Sequence, residues 1–81
     1  MVTMITEIWV GSGSLIRMTQ QFRGSAEQVA NKIEREFANG RIVGLVEGAE
    51  RIELVSKENE GRITRFRGLI DGTNRLTIKI F

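Results

Sequence analysis

One stretch of this chain repeats at helical spacing, and it carries its own start and stop signals. In SAEQVANKIEREFANG, residues 25–40, Ser25 is placed to cap a first turn, and Gln28 three residues on completes a capping box. Gly40 supplies the left-handed residue that ends such a helix. Ala26, Val29, Ala30, Ile33 and Phe37 fall on one stripe, while Glu27, Asn31, Lys32, Glu34 and Arg35 cover the solvated side. One amphipathic helix cannot bury its own stripe. The rest of the chain must provide an apolar surface for it.

That surface is a sheet, because the remaining residues alternate and glycines punctuate them at strand-length intervals. Thr3–Val10 and Leu15–Phe22 are expected to form a hairpin about Ser12-Gly13-Ser14. This register pairs Val10 with Ile16, Ile8 with Met18 and Met4 with Phe22 on one face. The opposite face then holds Trp9 across from Arg17, and Glu7 across from Thr19. A second hairpin is expected from Arg41–Glu47 and Glu50–Val55 about Gly48-Ala49, followed by SKENEG as an exposed loop. Its second face, with Ile42, Val46 and Val55, is apolar, so this is either a central, fully covered strand pair or one that meets another subunit. A closed homo-oligomer, a dimer or higher, is therefore expected.

With 81 residues, no proline and no linker-like tract, the chain reads as a single small domain, 1–81. The fold class is α+β in the order β-β-α-β-β-β-β, with one helix packed on a twisted, mainly antiparallel sheet or half-open barrel. The opening MVTMIT is similar to the β-galactosidase leader of cloning vectors, and the same letters also make a strand. No basic segment precedes a long apolar core, so a signal peptide is not expected, and no apolar run suits a membrane span. The lack of cysteine accords with a cytoplasmic location.

Charge is distributed unevenly. Residues 1–60 hold seven Lys/Arg and nine Glu, a net −2, whereas residues 61–81 hold five basic residues against Asp71 alone, a net +4. In this last segment, RITRFRGLIDGTNRLTIKIF, a loop of Gly72-Thr73-Asn74 pairs Ile70 with Leu76, Gly68 with Ile78 and Phe66 with Ile80. Those residues face the core. The other face carries Arg65, Arg67, Arg75 and Lys79, with Asp71 opposite Arg75 and Arg67 opposite Lys79. Forked guanidinium donors in such a cluster suit phosphate, and Trp9 with Arg17 adds a surface on which a base stacks. Basic residues on an edge strand also discourage aggregation, so a purely structural role stands beside the anion site.

No catalytic constellation is evident. The chain has neither His nor Cys, which removes the usual general base, the usual strong nucleophile and any Cys/His zinc site. No carboxylate cluster suits a metal, and no cofactor is implied. Ser12, Ser14, Ser25 and Ser56 fall at turns or a cap. The pairs Glu50/Glu53 and Glu34/Glu36 are available for acid–base work, and each lies in an ordinary surface pattern. VGSGS lacks the strand–loop–helix context of a phosphate-cradling loop.

The strand texture of GRIVGLVEGAERIELVSKENEGRI and LTIKIF is similar to that of small ring-forming RNA-binding β-proteins, such as the tryptophan RNA-binding attenuation protein. Its histidines have no counterpart here and the helix is extra, so no residue role is carried over. The function expected from the residues is a non-catalytic, homo-oligomeric module that binds a nucleotide or nucleic acid. The alternative is a protein-interaction module, such as a small phage-type inhibitor of a host enzyme or defence system.

Overall fold

The helix forms where its signals lie. In the computed structural model, which describes residues 1–11, 13–42 and 51–81, α1 spans Ala26–Ala38. Ser25 Oγ accepts from the Gln28 N–H at 3.1 Å, and the Gln28 side chain accepts from the Ser25 N–H, so both halves of the capping box are made. Gly40 has φ +74°, the left-handed value that lets the chain turn away after the last helical turn. Val29, Ala30, Ile33 and Phe37 are buried against the sheet.

Five described strands make that sheet: β1 (Val2–Trp9), β2 (Leu15–Phe22), β3 (Ile52–Glu60), β4 (Ile63–Ile70) and β5 (Asn74–Ile80). Their spatial order is β2-β1-β5-β4-β3, and every neighbouring pair is antiparallel. The hairpin β1–β2 and the meander β3–β4–β5 are joined by the β1–β5 pairing, and α1 lies across one face. The fold is thus α+β, one helix on an open antiparallel sheet. Val2, Met4 and Ile8 belong to its core with Phe66, Leu76, Ile78 and Ile80, so the opening residues are an integral strand.

Both outer hairpins differ from expectation in the same way. Each loop begins one residue earlier, so each register slips by two. In the first, Ile8 pairs with Ile16 and Glu7 with Arg17, and in the last, Ile70 pairs with Asn74 and Gly68 with Leu76. The cause is clearest at Asp71 and Gly72, whose φ values are 53° and 75°. The Thr73 N–H donates to the Ile70 carbonyl at 3.2 Å across them, and this left-handed Asp-Gly pair is the turn that matches strand twist. A slip of two leaves every side chain on its expected face.

SKENEG is not a loop. Ser56–Glu60 continue β3, and the turn comes at Gly61 and Arg62. Charged residues are tolerated there because β3 is an edge among the described strands. The expected partner strand, Arg41–Glu47, and the turn at Gly48-Ala49 lie outside the described residues from 43 onward. Ile42 is not part of a second apolar face. It is 3% exposed and belongs to the core, while Val55 is 63% exposed at a bulge between Leu54 and Ser56.

Candidate anion-binding face

The sheet face away from α1 is a grid that the registers define. Along one row run Leu15, Trp9, Arg75, Leu69 and Glu53, and along the next Arg17, Glu7, Thr77, Arg67 and Ser56. A third row holds Thr19, Ile5, Lys79, Arg65 and Glu58. Rows lie about 6.8 Å apart and columns about 4.8 Å, because side chains on one face recur every second residue. Arg65, Arg67, Arg75 and Lys79 are therefore brought together, and with Glu7, Trp9 and Thr77 they line a concavity of about 310 Å³.

The like-charge opposition sits elsewhere than expected. Arg65, not Arg67, lies directly across from Lys79, while Arg67 faces Thr77 on one side and Ser56 on the other. Carboxylates moderate the repulsion. Arg65 approaches Glu60 and Arg67 approaches Glu58, each at 3.8 Å and diagonally, a separation too long for a hydrogen bond. Glu53 at the corner is matched by Arg51 at 2.9 Å. Setting that pair aside, five cations (Arg17, Arg65, Arg67, Arg75, Lys79) share the face with three carboxylates (Glu7, Glu58, Glu60). The face remains positive.

Glu7 is the element that sequence reasoning missed. Its side chain is 10% exposed and stands between two cations, Arg17 at 3.4 Å and Lys79 at 3.8 Å. Alternation in ITEIWV puts it on the Trp9 face, but only the β1–β5 pairing brings it beside Lys79. Arg17 is thereby drawn to Glu7 and is absent from the concavity lining. The cation beside Trp9 is instead Arg75, whose guanidinium carbon lies 6.0 Å from the ring centroid. Among the described residues no carboxylate pairs with Arg75, and the buried Nε of Arg65 has no hydrogen-bond acceptor.

No three His, Cys, Asp or Glu gather to hold a metal ion among the described residues, and no described helix is long and apolar enough to cross a membrane. Of the two glutamate pairs available for acid–base work, Glu34 accepts from Lys57 at 2.9 Å, and Glu50 lies outside the described residues. Comparison with protein-family models, curated proteins and solved structures finds no match to this chain.

Proposed function

We propose that this chain is a non-catalytic binding module that takes a phosphate-bearing ligand, a nucleotide or a nucleic-acid strand, on the open face of its sheet. The observation that carries this is the convergence of Arg65, Arg67, Arg75 and Lys79 with Trp9 on one concavity. Its volume, about 310 Å³, lies at the small end of ligand sites, roughly 300–1,000 Å³, and suits a group of nucleotide size. Arg65 and Arg67 offer guanidinium donors to phosphate oxygens. Trp9 and Arg75 offer a flat surface to a base. Glu7 accepts from an amino or hydroxyl group of the ligand and repels bare multivalent anions. No cofactor is required, and no residue is assigned to a reaction.

Trp9 is the chain's one tryptophan, so its fluorescence reports this face alone. Inorganic phosphate, a nucleoside monophosphate and a short single-stranded oligonucleotide are titrated separately at low and high salt. Quenching by the nucleotide or the oligonucleotide is expected, weaker at high salt because ionic contacts carry the affinity. Comparing those two arms tells free nucleotide from strand. Arg67→Ala is expected to weaken this binding by about 1.5–3 kcal/mol, the usual loss for a hydrogen bond to a charged group. No response from any arm favours the protein-docking alternative, which the exposed Leu54 and Val55 support.

A further inference from the structure

The two outer strands of the described sheet are built differently. β3 carries Glu53, Lys57, Glu58 and Glu60 and a bulge after Leu54, the devices by which an edge resists pairing. β2, LIRMTQQF, has one charge in eight residues and an uninterrupted register with β1. Leu15 and Ile16 are each 49% exposed on it. A long, nearly uncharged edge of this kind is a template for another strand.

We infer that β2 pairs antiparallel with β2 of a second copy, making a two-fold dimer with a continuous sheet of ten described strands. The backbone has the right phase. The Val10 N–H donates to Ser14 at 2.9 Å, so alternation along the hairpin turns the amides of Ser14, Ile16, Met18 and Gln20 toward β1. Those of Leu15, Arg17, Thr19 and Gln21 point outward. Such a two-fold runs perpendicular to the sheet and puts one residue against its own counterpart.

Charge and shape select that residue. Centring on Arg17 opposes two arginines, and centring on Gln20 sets Arg17 against Arg23 of the second copy. Centring on Met18 sets Ile16 against glutamine. Centring on Thr19 pairs threonine with threonine on the open face and Ile16 with Phe22 on the helix face, apolar against apolar. Arg17 then faces Gln21. Of these four registers only this one avoids like charges and sets the exposed isoleucine against an apolar residue, and it commits the occupant to a second copy of this chain. Because the axis is normal to the sheet, both basic concavities open on the same side. The dimer follows from β2 alone and does not depend on what the concavities bind.

Light scattering over a concentration series reads the assembly, with the mass of two chains expected at the upper end. Thr19→Lys sets two ammonium groups against each other at the axis and should weaken dimerisation by roughly tenfold or more. Thr19 is exposed, so the variant keeps the far-ultraviolet circular dichroism of the parent. The chain has no cysteine, which makes Thr19→Cys a clean second probe. Opposed α-carbons about 5.5 Å apart lie within disulfide reach, so mild oxidation should cross-link it far faster than Val55→Cys on the other edge. A monomer throughout the series overturns the inference. So does a dimer that tolerates Thr19→Lys, or one in which Val55→Cys cross-links as readily as Thr19→Cys.

Discussion

Phe37→Ala is expected to lower the unfolding free energy by about 3–5 kcal/mol, the usual cost of emptying a buried aromatic site. Phe37 is 4% exposed, and its ring centroid lies 5.8 Å from that of Phe66, itself wholly buried on β4. It is the last large residue of the helical stripe, so removing it detaches the C-terminal half of α1 from β4. In so small a domain few contacts remain to compensate. Urea unfolding followed by circular dichroism measures this, and a midpoint shift worth less than about 1 kcal/mol would mean that the ring is not seated where described.

Gly68→Ala should be nearly as damaging, by about 1–3 kcal/mol, for the opposite reason. A β-carbon added there meets the Glu53 carbonyl oxygen at 2.5 Å and Phe37 Cε1 at 2.9 Å. A flexible side chain gives way at little cost, but a backbone carbonyl in a neighbouring strand does not. Gly68 is therefore the place where β4 makes room for the ring of Phe37 and for β3. The two sites share one volume, so Phe37→Leu and Gly68→Ala should be less than additive. Additive losses in a double-mutant cycle would separate the ring from the glycine.

These two residues also mark what could be learned without coordinates. Phe37 was legible because a capped helix with a clean stripe has only one way to face a core. Gly68 was placed on the core face by alternation alone, but nothing in the chain showed that Phe37 would stand above it. Faces survived where registers did not, since a slip of two, as at Asp71-Gly72, is invisible to alternation. SKENEG misled because an edge strand lacks the apolar alternation that identifies a buried one.

The candidate site divides in the same way. Arg65, Arg67, Arg75 and Lys79 could be gathered from one hairpin, because local alternation assigns them to one face. Their partners could not. Glu7 and Trp9 come from the other end of the chain, and only the β1–β5 pairing brings them alongside. That long-range pairing gave Trp9 the cation Arg75 in place of Arg17 and put a nearly buried carboxylate beside Lys79.

On the proposed function, the open face of β1, β5 and β4 takes a phosphate-bearing ligand. Amide and indole chemical-shift mapping of the labelled chain, titrated with a nucleoside monophosphate at low salt, tests it most directly. The largest shifts are expected at the Trp9 indole and at Arg65, Arg67, Arg75, Thr77 and Lys79, diminishing as salt is raised. Shifts centred on α1 or on Leu54 and Val55, or none at all, would contradict it.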